Sequence, residues 1–526
     1  MSRTLNLGVL AHVDAGKTSL TERLLHTAGV IDALGSVDAG NTQTDSLALE
    51  RQRGITIKSA VASFAVGDVV VNLIDTPGHP DFIAEVERVL DVLDRAVLVV
   101  SAVEGVQAQT RVLMRTLQRL EIPTVVFVNK MDRRGADGDR VAREVAQELA
   151  TDAPIFFGSA ITGDGVAELV AAVTSSVPDD DAAGGPLSGT VFKVERGKAG
   201  EKVAFVRLFS GTVRVRERVR IGDREGKVTS IAVFDRGSAP RRATAVAGQI
   251  AKLWGLDVRI GDTIGTAHRD RVRHFAPPTL ETVVEADDRV ALHSALHQLA
   301  EQDPLINLRL DGDDVVVSLY GEVQKEVIEA TLALEHGVAV RFRDTRTIRV
   351  ERPRGTGEAV RVLGESPYAA TIGFRVAPGP EEFRLEVELG SLPLAFFRAT
   401  EEAVRDALRA DRVHGCTVTM THSGYCSPVS VAGDFRSLAP IVLREALERA
   451  GTVTCEPVHR FRLEVPPDAL AAVLVALGKV GGVPLTTTAT VLEGHLPAAR
   501  VHELQRRLPA LTRGEGVLES EFDHYA

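Results

Sequence analysis

Cysteine is scarce in this sequence of 526 residues. The three that occur, Cys416, Cys426 and Cys455, all lie late in the chain, and none forms a C-x-x-C pair. That usage argues against a disulfide framework or a zinc site and suits a reducing cytoplasm. Long apolar runs are missing too. No stretch approaches the length of a membrane span, and no charged-then-apolar leader opens the chain, so a cytoplasmic protein without membrane association is expected. Excess positive charge is also lacking: the formal net charge is −11. Nucleic-acid binders carry positive surfaces, so bulk charge argues against one. The stretch RFRDTRTIRVERPRG, Arg341 to Gly355, is the local exception. It reads either as a solvated strand with charged outward positions or as an RNA contact. Short-period repeats and low-complexity tracts are absent as well.

What is present is ordinary for globular protein, with 44% hydrophobic and 25% charged residues. The length is too great for one core and implies several domains. Residues 1–185 alternate short apolar strands (Leu5–Leu10, Val69–Asp75, Ala96–Ser101, Thr124–Asn129, Ile155–Ser159) with helix-period segments. This alternation predicts a doubly wound α/β domain. The run PDDDAAGGPLSG, Pro178 to Gly189, reads as a linker. Residues 186–275 carry short alternating strands broken by glycine turns, which predicts a small β-barrel. Residues 276–351 predict a β-α-β-β-α-β module, with helices over Val290–Glu301 and Gly321–Leu334. Residues 352–455 mix strands with a helix over Ala399–Ala410, and residues 456–526 form a last α+β module.

Chemistry enters at AHVDAGKTS, where Ala11, His12, Val13, Asp14, Ala15, Gly16, Lys17 and Thr18 sit between a strand and a helix. The spacing is that of a phosphate loop with alanine in place of its first glycine. In such a loop backbone N–H groups cradle phosphates, Gly16 lets the chain come close, Lys17 reaches the outer phosphates and Thr18 offers a hydroxyl to Mg²⁺. DTPGH follows another strand as Asp75, Thr76, Pro77, Gly78 and His79. Asp75 suits a carboxylate near Mg²⁺, and Gly78 has no side chain to hinder an N–H bond to a γ-phosphate. NKMD (Asn129, Lys130, Met131, Asp132) ends a third strand. Asp132 can accept from the N1–H and exocyclic amine of guanine; adenine offers no such pair. GSA brings Ser159 and Ala160 to the end of a fourth, where an N–H can meet the guanine carbonyl. Four such motifs in this order specify a GTP site.

With TDSLALERQRGITI, Thr44 to Ile57, the sequence resembles the translation-factor GTPases. The resemblance implies that Thr56 is a second Mg²⁺-linked hydroxyl sensing the γ-phosphate, that His79 orients the attacking water, and that Val13 and Ile55 gate it. It also places Asp14 near the phosphates. Along nearly the whole chain the likeness is to elongation factor G relatives, and above all to the tetracycline-resistance ribosomal protection proteins. SLYGEVQKEVI (Ser318–Ile328), VERP (Val350–Pro353) and SPVSVAGDFRSLAPIVL (Ser427–Leu443) carry it. The implied fold is a P-loop GTPase domain, a β-barrel domain, and three α+β modules, ferredoxin-like or resembling domain IV of elongation factor G. The implied activity is GTP hydrolysis stimulated by a partner, the 70S ribosome with its 16S and 23S rRNA and proteins, since phosphoryl transfer needs positioning and charge stabilisation and these motifs hold no evident arginine finger. The family places Tyr425, Ser427, Pro428 and Val429 in a ribosome-facing loop that displaces tetracycline. A turn whose tyrosine is anchored in its own domain is the plain alternative. A monomer is expected.

The chain also departs from the family. Only about 25 residues separate NKMD from GSA, His414 and Gly415 stand where the family has aromatics, the region Gly482–Val491 is compressed, and the sequence ends at DHYA where relatives continue into a basic tail. These losses leave two further readings open: an elongation factor G-like translocase or stress factor, and a GTP-controlled ribosome-binding protein without drug release.

Overall fold

In the computed structural model, residues 3–35, 50, 56–175, 177, 184–197, 200–222, 224–267, 275, 278–312, 314–513 and 516–526 are described. They fall into two compact units, Met1–Thr345 with Val517–Glu519, and Arg346–Gly516 with Ser520–Ala526.

The first unit starts with a six-stranded sheet. Its strands are β1 (Arg3–Ala11), β2 (Ala60–Val66), β3 (Val69–Asp75), β4 (Arg95–Ser101), β5 (Thr124–Asn129) and β6 (Ile155–Phe157). They lie in the order β2-β3-β1-β4-β5-β6, and all pairs are parallel except β2 with β3. Helices cover both faces, so these strands are near-continuous apolar runs. Leu5, Leu7 and Val9 point to one face, against Leu20 and Leu24 of α1 (Lys17–Thr27) and Val166, Leu169 and Val173 of α5 (Val166–Thr174). Leu98, Val100, Val126 and Val128 point to the other. They pack on α2 (Ile83–Leu90), α3 (Ala108–Arg119) and α4 (Gly138–Glu148) through Val86, Leu113, Leu117, Val141 and Val145. Phe127 is fully buried; truncating such a ring costs about 3–5 kcal/mol. The chain leaves β1, β3, β5 and β6 at their carboxyl ends, the edge where open α/β sheets bind ligands.

The described residues of 188–265 form an eight-stranded antiparallel sheet and a two-stranded one (Thr212–Arg214 with Thr244–Val246) around a core of Val191, Val206, Ile231 and Leu253. Residues 280–342 form the β-α-β-β-α-β module, with helices Arg289–Gln302 and Glu322–His336, both longer than the sequence pattern predicts. Asp288 accepts from the backbone N–H groups of Val290 and Ala291 and starts the first helix one residue early.

In the second unit a four-stranded sheet (Gly357–Arg361, Ala370–Pro378, Cys416–Tyr425, Glu382–Leu385) packs on helices Leu394–Ala410 and Ala432–Ala450. The first helix begins five residues before the predicted Ala399, because buried Phe397 and the Phe396 ring stacked on Phe435 extend its apolar face. Its neighbour was not anticipated. Pro440 sits inside it, and proline normally breaks a helix. Here Phe435, Leu438, Ala439, Val442, Leu443, Ala446 and Leu447, all buried at helical spacing, outweigh that cost. A final β-α-β-β-α-β module has strands Pro457–Glu464, Val483–Thr487, Val491–Pro497 and Val517–Tyr525, with helices Leu470–Lys479 and Ala498–Thr512. The linker segment 178–183 lies outside the described residues. Among the described residues no helix is long and apolar enough to cross a membrane.

Candidate functional site

The loop between β1 and α1 turns through Gly16, whose φ of +89° is left-handed. A side chain there is disfavoured by conformation and by space: a Cβ would lie 2.4 Å from Asn129 Nδ2. That contact explains the arrangement. Asn129 is buried at the end of β5; its Nδ2 donates to Ala15 O at 2.9 Å and its Oδ1 accepts from Ala160 N at 2.9 Å. One amide therefore ties the phosphate loop to the loop after β6.

Lys17 and Thr18 open α1. Lys17 is buried, donating to Asp75 and, at 3.3 Å, to Thr56 Oγ1. Thr18 Oγ1 and Thr56 Oγ1 are 3.2 Å apart. The carboxylate of Asp75 also accepts from Thr21 Oγ1 at 3.3 Å. Thr21 belongs to no motif; it lies one turn beyond Lys17, and that i, i+4 spacing is its only sequence signal. Two hydroxyls beside a buried carboxylate make an all-oxygen donor set suited to a hard cation. The two residues after Thr56 are fixed by Glu50, whose Oε1 accepts from the N–H groups of Ile57 and Lys58 at 2.9 and 3.0 Å. Ile55, the expected gate partner of Val13, lies outside the described residues. Val13 itself is exposed.

Thr76 Oγ1 donates to Val9 O at 2.9 Å and fastens the start of DTPGH to β1. His79 is partly exposed, with its ring 5.9 Å from that of Phe82. Its Nδ1 accepts from Asp81 N at 3.2 Å, which leaves Nε2 as the other ring nitrogen. His12 is buried, with Nδ1 2.9 Å from Thr110 Oγ1. Burial pushes its pKa down to about 4, so it is neutral at pH 7. Lys130 reaches Glu104 at 3.3 Å, Met131 is exposed, and Asp132 lies 3.9 Å from Arg133 Nε. Ser159 N donates to Asp164 O at 3.0 Å, and its Oγ accepts from Ile161 N and Thr162 N.

The loop after strand Cys416–Tyr425 is built differently. Ser430 is buried at its base, where its Oγ accepts from Cys426 N at 2.8 Å and donates to Ala369 O. Ser427, Pro428 and Val429 project outward. The Tyr425 ring meets Phe396 edge-on at 5.9 Å but stays 45% exposed. The basic stretch is charge-matched in place. Arg341 pairs with Asp287 at 3.2 Å, Arg343 with Glu285 and Asp314 at 2.7 and 2.6 Å, and Arg349 with Glu456 at 2.9 Å. Those pairs are what a solvated strand with outward charges looks like.

The fold and this loop set define a GTPase of the translation-factor type. Four family models match it: "Elongation factor Tu GTP binding domain" over residues 2–179, "Elongation factor G domain 2" over 186–267, "Elongation factor G, domain IV" over 339–451 and "Elongation factor G C-terminus" over 453–526. A crystal structure of a Thermus thermophilus protein matches with a TM-score of 0.66 at 21% identity, covering 100% of this chain and 97% of that one. It supports the fold. The oxytetracycline resistance protein of Streptomyces rimosus is 47% identical, covering 99% of this chain and 95% of the relative. The tetracycline resistance protein TetM of Streptomyces lividans is 45% identical over 98% and 96%, and TetP of Clostridium perfringens 35% over 100% and 95%. The chain belongs to the tetracycline resistance proteins, a family of elongation factor G-like GTPases. The alignment with the Streptomyces rimosus protein spans 628 positions against 526 residues here, so that relative carries segments this chain does without.

Proposed function

We propose that this protein is a ribosome-stimulated GTPase that dislodges tetracycline-class antibiotics from the ribosome, acting as a monomer in the cytoplasm. The observation that carries the reading is a site that brings Lys17, Thr18, Thr56, Asp75 and Asn129 together within a chain that matches oxytetracycline and tetracycline resistance proteins almost end to end.

In this reading Lys17 exchanges Asp75 for the outer phosphates of GTP, and the N–H groups around Gly16 receive the others. Thr18, Thr56 and Asp75 would hold Mg²⁺, which would supply charge neutralisation for the phosphates. Asp132 reads guanine, and Ser159 and Ala160 line the base edge with Asn129 as their brace. His79, its Nδ1 occupied by the Asp81 N–H, presents Nε2 to the attacking water. Val13 shields that side. The ribosome brings His79 and the phosphates into line, so hydrolysis is slow without it. Tyr425, Ser427, Pro428 and Val429 contact 16S rRNA at the drug site. There an aromatic ring can stack on an exposed base, and a proline stiffens the loop.

Expression in a tetracycline-sensitive bacterium tests this. Tolerance should rise with the wild-type gene and not with His79→Ala. Unchanged tolerance alongside strong stimulation of GTP hydrolysis by 70S ribosomes overturns drug release in favour of translocation or binding. No stimulation overturns the ribosome-dependent reading itself.

A further inference from the structure

The helix Glu322–His336 begins without a cap of its own. Its N-cap residue is Gly321, which has no side chain to bond the first turn. Helix starts ordinarily recruit Ser, Thr, Asp or Asn for this purpose, since the first N–H groups have no partner inside the helix. The missing acceptor comes from a residue 240 positions earlier in sequence, within the same compact unit. Asp81 Oδ2 accepts from Val323 N at 2.9 Å and from Gln324 N at 3.2 Å. A negative carboxylate is also the favoured charge at a helix N-terminus.

Gly321 is fitted to this arrangement. Its backbone is fully extended, at φ −175°, a conformation open to any residue. What excludes a side chain is the carboxylate itself, because a Cβ on Gly321 would lie 2.3 Å from both Asp81 oxygens. The neighbouring Phe82 packs with Ile57, Val323 and Val327, closing the contact with apolar surface. Further along α2, Arg88 pairs with Asp303 and donates to Gln302 O at 3.1 Å.

Asp81 is bonded at its other end to His79. Its N–H donates to His79 Nδ1 at 3.2 Å, and its Oδ1 lies 3.5 Å from the same nitrogen. One residue thus joins the histidine ring to the first turn of a helix in the downstream β-α-β-β-α-β module. We propose that Asp81 is a positioning residue for hydrolysis: by capping the helix that starts at Glu322, it sets where His79 stands. Movement of that helix is then transmitted to His79 through Asp81, its carboxylate on the helix and its N–H on the ring. The proposal rests on His79 being the catalytic histidine.

A double-mutant cycle on the full-length protein with 70S ribosomes tests it. Wild type must be stimulated and His79→Ala inactive; failure here overturns the catalytic reading and not the cap alone. Given that, Asp81→Ala should lower the ribosome-stimulated kcat about tenfold, as loss of one cap does in energy. GDP affinity and binding stoichiometry should stay within twofold. Asp81→Asn keeps an acceptor and should recover most of the rate, which a purely electrostatic role would not allow. Gly321→Ala should cost about as much as Asp81→Ala, since its methyl displaces the carboxylate. The double variant Asp81→Ala/Gly321→Ala should be no worse than either single, since without the carboxylate the methyl has room. Multiplying effects, or wild-type kcat in Asp81→Ala, overturn the proposal. So does a loss confined to GDP binding or to the fraction of folded protein.

Discussion

The nucleotide site and the loop at Tyr425–Val429 use backbone in opposite ways. At the first, key motif residues are braced by other loops or strands: Asn129 holds the phosphate loop and the 159–160 loop, Thr76 holds β1, and Lys17 holds Asp75 and Thr56. At the second, one buried serine pins the base and three residues stand free in solvent. A transition state with developing charge needs groups fixed before the reaction. A surface that meets a large partner needs side chains free to dock. The contrast predicts that mutations at the first site spread and that those at the second stay local.

The largest break is Lys17→Ala. It removes the phosphate contact and leaves the buried Asp75 carboxylate without its lysine. Losing one partner of a buried pair costs about 3–5 kcal/mol, so GTP binding and hydrolysis should fall beyond detection in an equilibrium nucleotide-binding assay. Residual binding within tenfold of wild type would show that the site is not braced as argued. Asn129→Ala comes next. It orphans Ala15 O and Ala160 N together, at about 1–3 kcal/mol. GDP dissociation should quicken at least tenfold, with guanine selectivity and phosphate affinity weakened alike. If only base selectivity changes in a competition with ATP, Asn129 is a local contact and not a brace.

Tyr425→Ala sharpens the other side of the comparison. The ring packs on Phe396 with an edge, and the rest is free to stack. Stacking one base is worth about 1–3 kcal/mol. Drug tolerance should therefore drop about tenfold while ribosome-stimulated GTP hydrolysis stays within twofold. Phe396→Leu separates the two roles, since it removes the internal edge contact and leaves the exposed face. Equal loss of tolerance in both variants would return the tyrosine to a structural role.

Which parts of this were legible in the sequence follows the same contrast. AHVDAGKT, DTPGH and NKMD are readable because phosphates and guanine demand particular atoms at particular spacings, whatever the surrounding fold. The bracing was not readable. Asn129 was placed in the guanine motif, but its two bonds to neighbouring loops depend on strands β1, β5 and β6 lying side by side. The helix over Ala432–Ala450 was hidden by Pro440, a local signal overruled by seven buried residues whose partners are far away in sequence. Gly321 read as an unremarkable helix start, since the acceptor that explains it comes from the GTPase domain. Motif chemistry is local and shows in sequence; packing and capping across modules are not local and do not.

Acid offers the finest test, because among the described residues each unit holds one buried neutral histidine. His12 faces Thr110 in the first unit, and His459 lies with Nδ1 3.3 Å from Ser520 Oγ in the second. Burial pushes both down to about 4 from the ordinary 6.5. With the folded pKa below the unfolded one, the unfolded chain binds the proton first as pH falls. The stability each neutral ring contributes is complete above pH 6.5 and is lost progressively toward pH 4. At pH 5.5 the loss is about 1 kcal/mol for each group. Thermal melts at pH 7.5 and 5.5 should show it, with GDP added to identify the nucleotide-binding unit by its upward shift. His12→Gln should flatten the pH dependence of the GDP-sensitive transition and leave the other unchanged; His459→Gln should do the reverse. If either substitution flattens both transitions equally, the two units unfold as one, and bracing in one region reaches the other after all.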